Sequence, residues 1–150
     1  MVKIQNVEIT EKDILIVPCG QKHFELVKYF INKFELDNRE LKAEEFLVAV
    51  SGNELLGFGR IREYADCSEL CSLGIVEPYR FKHIGTELSK ALINKAKSEL
   101  YLVCIIPSFF ERLDFSVVNE YPSALADKLS YCIGSLAVPE EYCVMKLQNA

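Results

Sequence analysis

The chain has 150 residues, of which 50% are apolar and 26% are charged, values typical of one globular domain that buries its own core. Its formal net charge of −5 disfavours a nucleic-acid partner, because an acidic surface repels phosphates. No apolar run reaches the roughly 18 residues that a membrane span needs, and charges stand where a secretion signal would be apolar, so we expect a cytoplasmic protein without a membrane partner.

The first half of the chain predicts a strand, a helix and then three antiparallel strands. Residues 14–18 are an apolar run of strand length, and apolar side chains recur at helical spacing over residues 22–34. Three further strands are predicted at residues 46–50, 55–64 and 67–76, joined by turns short enough for hairpins. These elements indicate an antiparallel sheet with a helix packed against it.

The second half changes to alternating helices and strands. Residues 85–99 predict an amphipathic helix, and residues 101–106 follow it as an apolar strand. A strand, a crossover helix and a strand predict a parallel pair between residues 67–76 and 101–106. The remaining predicted elements are a helix at 109–113, a strand at 115–118, a helix at 123–130 and a strand at 142–147. The chain is therefore predicted to be a single α/β domain, with helices on both faces of a mixed sheet of six or seven strands.

The six cysteines are expected to be reduced and to pack in the core. Several lie in apolar runs, where a free cysteine behaves as a small hydrophobic residue. The sequence has no C-x-x-C pair and only two histidines, so no metal site is expected. Cys71 could act as a nucleophile, but no histidine near it in sequence would lower its pKa, which favours packing.

The segment after the predicted strand at residues 67–76 has the features of an anion site. An irregular loop runs to His83, and a helix begins near Gly85, where a ligand can approach the main chain. The first turn of a helix offers unpaired N–H groups and the positive end of the helix dipole. Arg80 and Lys82 add positive charge. The alternative is an ordinary loop that caps an ordinary helix.

This segment resembles the GNAT acetyltransferases. Residues 73–75 (LGI) are similar to the end of the family's fourth strand, and residues 80–85 (RFKHIG) resemble its basic, glycine-rich loop. Residues 109–115 (FFERLDF) look like the aromatic segment after the fifth strand, and the order of elements fits the fold. The C-terminal part, with Pro122 and Lys128, resembles members related to the acetyltransferase domain of N-acetylglutamate synthases.

The resemblance implies acetyl-CoA as the cofactor, with its pyrophosphate on main-chain amides of the loop and its pantetheine arm paired to the strand before it. The residues implied in cofactor binding are Leu73, Gly74, Ile75, Arg80, Phe81, Lys82, His83, Ile84, Gly85 and Thr86.

The resemblance also implies Glu69 as the base that deprotonates the acceptor amine, directly or through a water. Two alternatives remain open for the residues around it. If Ala65 and Asp66 form a two-residue hairpin, Arg62 lies opposite Glu69 and the two form a cross-strand ion pair. Arg62 could instead bind a substrate carboxylate, since a guanidinium matches its geometry.

Three positions depart from the family pattern. His83 stands at the first glycine of the loop, so the loop must accommodate a side chain or His83 itself must donate to a phosphate. Asp114 stands at a second glycine position, where aspartate can also adopt turn dihedral angles. Phe110 stands where a tyrosine often serves as the general acid. The replacement acids considered are Tyr121, Ser123 and Tyr131.

The sequence therefore predicts an acetyl-CoA-dependent N-acetyltransferase that acts on a small-molecule amine, with an amino acid among the candidates. One alternative is a non-catalytic acyl-CoA-binding module that serves as a sensor or partner domain. A second is a protein acetyltransferase that modifies lysines or N-termini. The protein is expected to be a monomer or a homodimer.

Overall fold

The computed structural model describes residues 13–81, 83–135 and 140–148. Within these residues, seven strands and four helices follow one another. They are β1 (Leu15–Pro18), α1 (Gln21–Lys33), β2 (Phe46–Ser51), β3 (Glu54–Glu63), β4 (Ser68–Ile75), α2 (Ile84–Lys95), β5 (Leu100–Cys104), α3 (Pro107–Glu111), β6 (Phe115–Val117), α4 (Ser123–Ser135) and β7 (Cys143–Leu147). Short 3-10 turns at Ala43–Glu45 and Tyr79–Phe81 lead into β2 and α2.

The seven strands form one mixed sheet in the order β1-β2-β3-β4-β5-β7-β6. Strands β4 and β5 are parallel, and every other neighbouring pair is antiparallel. The parallel pair results from the crossover through α2, since hairpin turns can join only antiparallel strands. The predicted mixed sheet, with an antiparallel first part and a parallel pair in its middle, is confirmed.

Strands β4 and β5 pair over only two residues of each strand. Ser68 lies opposite Leu100 and Glu69 opposite Tyr101, and no further pair joins the two strands although β4 continues to Ile75. The rest of β4 keeps its pairing with β3 on its other side. The later part of β4 therefore has main-chain groups that face a gap in the middle of the sheet.

A bulge interrupts β4 within this unpaired part. Phe58 lies opposite Gly74 and Arg60 opposite Cys71, so Gly59 alone faces two residues of β4. Ser72, one of those two residues, has a φ of +55°, in the left-handed region that residues with a Cβ seldom adopt. This bulge was not predicted, because nothing in the local pattern of residues 67–76 marks it.

Helices cover both faces of the sheet. Helix α1 buries Val27 and Ile31 in a cluster that includes Phe58. Helix α2 covers the opposite face, where a Cβ on Gly59 would lie 2.7 Å from a methyl carbon of Leu92. The absence of a side chain at Gly59 therefore lets α2 approach the sheet closely. None of the described helices is both long enough and apolar enough to cross a bilayer.

The element types agree with the sequence-based predictions, but the bounds of three helices differ. Helix α3 begins and ends two residues before its predicted bounds of 109 and 113. Helix α2 was predicted to reach residue 99 but ends at Lys95, and Ala96 adopts an extended conformation. The chain must leave the helix there because the main-chain oxygen of Glu99 accepts a hydrogen bond from the Ser68 amide at 2.8 Å, at the start of the parallel pair. Helix α4 continues to Ser135, beyond the predicted residue 130.

Candidate functional site

The start of α2 and the end of β4 line a cavity of about 570 Å³, called here the outer cavity. Its lining consists of Phe34, Leu36, Leu73, Gly74, Ile75, Arg80, His83, Gly85, Thr86, Ile106, Phe109 and Arg112. Seven of the ten residues predicted to bind the cofactor are in this set. The structure thus brings together the strand end, the loop and the helix start that the sequence analysis assigned to one site.

The other three predicted cofactor residues have different positions. The Ile84 side chain is buried between α2 and the sheet, so only its main chain can face the outer cavity. Phe81 ends the 3-10 turn before α2. Lys82 lies outside the described residues, and its predicted role stays a prediction.

The first turn of α2 supplies the anion-binding groups of the outer cavity. The amide of Glu87 makes a hydrogen bond of 3.2 Å to the main-chain oxygen of His83. The amides of Ile84, Gly85 and Thr86 precede it and have no acceptor within the helix. A Cβ on Gly85 would lie 3.5 Å from Phe109 and 3.7 Å from Ile75, so it would take up space in the cavity without a clash. These amides are suited to bind an anion.

His83 has the backbone conformation of the glycine that it replaces. It is the N-cap of α2 with a φ of +59°, and its side chain makes no capping hydrogen bond. Asp114, the other residue at a glycine position, has a φ of +72°, which confirms the expectation that it adopts turn dihedral angles. Both sites therefore keep the geometry that a glycine would have, at the energetic cost of a Cβ in the left-handed region.

Two arginines give the outer cavity a positive lining. Arg80 donates from Nε to the main-chain oxygen of Ile75 at 2.8 Å, which fixes it beside the strand end, and its Nη1 lies 3.4 Å from Glu77. Arg112 follows α3 and lies over the Phe109 ring. The described lining residues of the outer cavity include no carboxylate. Arg112 was not among the predicted site residues.

A second cavity of about 430 Å³, called here the inner cavity, continues from the outer one into the gap between β4 and β5. The two cavities share five lining residues, namely Phe34, Leu36, Leu73, Arg80 and Ile106. The other residues that line the inner cavity are Glu35, Asp37, Leu70, Cys71, Ser72, Leu102, Val103, Cys104, Ile105, Phe110, Lys128, Cys132 and Tyr142. An elongated molecule can therefore extend from the start of α2 to the middle of the sheet.

A buried lysine lies at the wall of the inner cavity. The Lys128 side chain is 4% exposed, and its Nζ lies 2.9 Å from Asp37 Oδ2 and 2.7 Å from Glu69 Oε2. Burial alone would lower the pKa of Lys128, but its anionic surroundings outweigh burial and raise that pKa above its usual value. Lys128 therefore carries its positive charge at neutral pH.

Asp37 is the second charged group of this wall. Burial would raise the pKa of its carboxyl, but the hydrogen bond from Arg39 and the charge of Lys128 outweigh burial and hold that pKa well below its usual range. Arg39 Nη2 lies 2.8 Å from Asp37 Oδ2, and its Nε and amide donate to Oδ1 at 3.0 Å each. Asp37 is therefore ionised, and its oxygens are occupied by hydrogen bonds.

Arg60, which is fully buried, holds the loop that contains Asp37. Its guanidinium lies 3.1 Å from Glu45 and 3.8 Å from Asp37, and it also donates to the main-chain oxygens of Arg39 and Glu40. Its Nε donates to Ser72 Oγ at 3.1 Å. Arg60 thereby fixes one wall of the inner cavity to the bulge in β4.

The register between Arg62 and Glu69 is as predicted, but the predicted ion pair between their side chains does not form. Glu69 instead accepts hydrogen bonds from Lys128 and, at 2.9 Å, from the hydroxyl of Tyr64. Arg62 pairs with Glu40 at 3.2 Å. The ion-pair prediction was wrong because Lys128, from a distant part of the chain, is the nearer partner of Glu69.

Neither Glu69 nor Arg62 lines the inner cavity. Glu69 is 0% exposed and lies behind Lys128. Arg62 lines a separate surface pocket of about 320 Å³, together with Tyr64 and Ser123. The structure therefore separates the predicted base and the predicted carboxylate-binding residue from the residues that line the outer cavity.

Tyr142 is a phenol that lines the inner cavity. Phe110 also lines it, whereas the replacement acids Tyr121, Ser123 and Tyr131 line neither of the two cavities. Burial raises the pKa of Tyr142, so its hydroxyl is protonated at neutral pH. Tyr142 was not among the predicted site residues, because it stands just before β7 in no recognisable motif.

The cysteines are free and five of the six are buried, in line with the expected packing role. Cys71, Cys104 and Cys132 line the inner cavity. Burial is the main reason that the pKa of Cys71 rises to about 11, which keeps the thiol protonated and disfavours it as a nucleophile. Ligand atoms of Asp37, Glu69 and Cys71 lie within 4.8 Å of one another, but the Lys128 ammonium bonds both carboxylates and takes the position of a cation.

The family model for the acetyltransferase (GNAT) family matches residues 12–115. Among solved structures, Rv2747 from Mycobacterium tuberculosis, in complex with CoA and NLQ, is similar with a TM-score of 0.73 at 15% identity, over 91% of this chain and 99% of that one. Naa50 from Arabidopsis thaliana, in complex with the bisubstrate analogue CoA-Ac-MVNAL, is similar with a TM-score of 0.64 at 17% identity, over 91% and 99% of the two chains.

N-acetylglutamate synthase from Neisseria gonorrhoeae, complexed with coenzyme A and N-acetyl-glutamate, is similar with a TM-score of 0.71 at 16% identity. The match covers 91% of this chain but 35% of the synthase, so the chain spans about a third of that protein's length. No protein with a curated description matches the chain. The family match over residues 12–115, together with the mixed sheet split between β4 and β5, confirms the predicted α/β fold, and the chain belongs to the GNAT family of acetyltransferases.

Proposed function

We propose that the protein transfers the acetyl group of acetyl-CoA to the amine of a small molecule, with an amino acid among the candidates. The observation that carries the proposal is the continuity of the two cavities, which share five lining residues. A cofactor bound at the start of α2 can thereby present its thioester in the gap between β4 and β5. Family membership and neighbours of the same fold that were crystallised with CoA support this reading.

In this proposal the diphosphate of CoA binds the free amides at the start of α2. Arg80 and Arg112 line the same cavity and supply positive charge. The pantetheine arm then lies along the unpaired edge of β4 at residues 73–75, where main-chain groups are available to its amides. The specificity for the cofactor would come from the main chain and from the two arginines.

The reaction requires two proton transfers around one acyl transfer. The amine nitrogen forms a bond to the thioester carbonyl carbon and the carbon–sulfur bond breaks, while main-chain amides near Ile75 stabilise the developing oxyanion. We retain Glu69 as the base only through a water, because its carboxylate does not line the inner cavity. Tyr142, which lines that cavity with a protonated phenol, is our candidate for the group that protonates the CoA thiolate.

The inner cavity supports a small acceptor. Its volume of about 430 Å³ lies in the usual range for sites that enclose small molecules. Neighbours of the same fold were crystallised with N-acetyl-glutamate and with a peptide bisubstrate analogue, so the fold by itself does not distinguish the two acceptor classes. The separate pocket of Arg62 gives no support to its role as a carboxylate clamp. A cytoplasmic location and a monomeric or homodimeric state stay predictions.

The test is the release of free CoA thiol from acetyl-CoA with a panel of amines, combined with calorimetric titration of CoA. We expect binding and amine-dependent thiol release in the native protein, and loss of both in Gly85→Asp, which puts a carboxylate among the free amides. Gly134→Asp is the matched control, since Gly134 lies in a helix with no atom within 4 Å of its Cβ position. Binding without thiol release for any amine would favour the non-catalytic module, and absence of CoA binding would overturn the proposal.

A further inference from the structure

The Lys128 ammonium is a charged hydrogen-bond donor at the wall of the inner cavity. An ammonium has three N–H donors, and the described residues provide two acceptors for it, Asp37 Oδ2 and Glu69 Oε2. One N–H therefore has no acceptor among the described residues, although the Lys128 side chain is only 4% exposed and lines the inner cavity. An oxygen of a bound acceptor can satisfy this donor.

The charge around Lys128 is already balanced. Nitrogen–oxygen contacts of 2.7 to 3.8 Å connect three carboxylates and three cations into one ion network. The six residues of this ion network are Asp37, Glu45, Glu69, Arg39, Arg60 and Lys128. Its formal charge is zero, so the lysine has positive charge locally but the network as a whole does not attract an anion.

A carboxylate next to Lys128 would therefore be a buried charge without a net counter-charge, which is costly in a protein interior. The other two charged residues that line the inner cavity do not change this balance. Glu35 is exposed and negative. Arg80 also lines the outer cavity, is paired with Glu77, and in the proposed function lies beside the CoA diphosphate. A neutral oxygen can accept the remaining hydrogen bond of Lys128 without this cost.

We infer that the acceptor has, beside its amine, an uncharged oxygen of the amide or hydroxyl kind that accepts a hydrogen bond from Lys128, and that a free carboxylate is disfavoured at that position. This inference rests on the proposed function and narrows its substrate class. Among derivatives of one amino acid, the amide is then a better acceptor than the free acid. Lys128 acts as a specificity-determining residue through its third N–H, with its charge offset by Asp37 and Glu69.

The test measures the binding of acetylated products, so it does not depend on turnover. N-acetyl-leucinamide and N-acetyl-leucine are titrated by calorimetry into the native protein saturated with CoA. Both probes carry the same apolar side chain and differ in one charge. We expect the amide to bind at least about ten-fold more tightly, as one additional charge-assisted hydrogen bond without charge burial would give. Equal or tighter binding of the acid, or binding of neither, would overturn the inference.

Glu69→Gln gives an independent readout from the same two titrations. It removes one negative charge from the ion network without altering a residue that lines the cavity, so the network gains a net charge of +1. We expect the preference for the amide to fall by about ten-fold or more, because the acid now meets an ion network with one uncompensated positive charge. The matched control is Tyr64→Phe, which removes a hydrogen bond to the same carboxylate without a change of charge, and we expect it to leave the preference as in the native protein. A preference that stays the same in folded Glu69→Gln contradicts the inference.

Failure of the inference can be distinguished from failure of the proposed function. Thiol release is measured in parallel with leucinamide and leucine. Faster turnover of leucine would preserve the proposed function and overturn the inference. Preferential binding of the amide product without thiol release from any amine would overturn the proposed function and support the inference as a property of the binding site.

Discussion

Ser72 donates its hydroxyl proton to the main-chain oxygen of Asp37, and the two oxygens lie 2.8 Å apart. Ser72 is the left-handed residue of the bulge in β4, and Asp37 ends the loop segment 34–37 that lines the inner cavity. This buried hydrogen bond and the one from Arg60 to the same serine offset the conformational cost of the bulge. The strand proposed to bind the pantetheine arm and the loop proposed to face the acceptor therefore form one rigid unit.

Gly85→Ala should separate cofactor binding from stability. Alanine is the better helix residue, so we expect the free energy of unfolding to rise by about 0.5 kcal/mol. The new Cβ would enter the outer cavity, so we expect CoA to bind about ten-fold more weakly. Urea denaturation and calorimetry measure the two effects. Gly134→Ala should give a similar stabilisation and unchanged CoA affinity, and unchanged affinity in Gly85→Ala would argue against diphosphate binding at this turn.

His83→Gly should relieve backbone strain at the N-cap of α2. A φ of +59° costs a residue with a Cβ roughly 1 kcal/mol, and glycine would remove this cost. Part of the gain in stability is lost again, because glycine makes the unfolded chain more flexible. We expect the unfolding free energy to rise by up to about 1 kcal/mol without weaker CoA binding. Asp114→Gly is the control, because Asp114 has a φ of +72° and lines neither cavity. We expect it to give a similar rise in unfolding free energy and an unchanged CoA affinity. Weaker CoA binding only in His83→Gly would instead show that the imidazole donates to a phosphate.

Asp37→Asn should change how stability depends on pH. The folded-state pKa of Asp37 is lowered, so this carboxylate stabilises the fold above its unfolded pKa of about 4, and that contribution is lost as the pH falls below it. Because the substitution breaks a buried ion pair, we expect the free energy of unfolding to fall by about 3 kcal/mol at pH 7. This difference from the native protein should become smaller as the pH falls from about 4 to about 2. Urea denaturation at several pH values measures this. Asp127→Asn, at an exposed position on α4, should show no such loss.

Tyr142→Phe tests the proposed acid. Loss of a general acid lowers kcat by roughly 100-fold or more, while the KM for acetyl-CoA should change little because a phenyl ring fills the same space. The decline in rate at high pH that the phenol causes should also disappear from the pH profile. Tyr131→Phe is the control, since its hydroxyl contacts Asn38 and it lines neither of the two cavities. A kcat in Tyr142→Phe close to that of the control would exclude the phenol as the acid.

Most elements of the fold could be predicted because their signals are local. The stripe of Ile84, Leu88 and Leu92 indicated α2, and short turns between apolar runs indicated the hairpins that join β2, β3 and β4. The end of α2 could not be predicted in the same way, because residues 96–99 contain no helix breaker. It is set by the pairing of the chain next to Glu99 with β4, which is a tertiary contact.

The two halves of the candidate site also differ in whether their residues are close together in sequence. The residues around the start of α2 are contiguous in sequence, so a motif could predict them together. Lys128 and Glu69 are 59 residues apart, and no local pattern joins them. One signal was present, however, because Lys128 stands on the buried stripe of α4 between Leu125 and Cys132, where a charged residue requires a partner.

The short pairing between β4 and β5 makes the sheet depend on whatever fills its middle. Only two residue pairs hold the four strands on one side to the three on the other, and the open edges can accept an extended ligand with its own amides. Such a ligand would pair with the sheet as an eighth strand that can dissociate. By mass action it would raise the melting temperature of the whole domain as its free concentration rises above its dissociation constant, so that thermal stability itself would report how much CoA or acetyl-CoA is present.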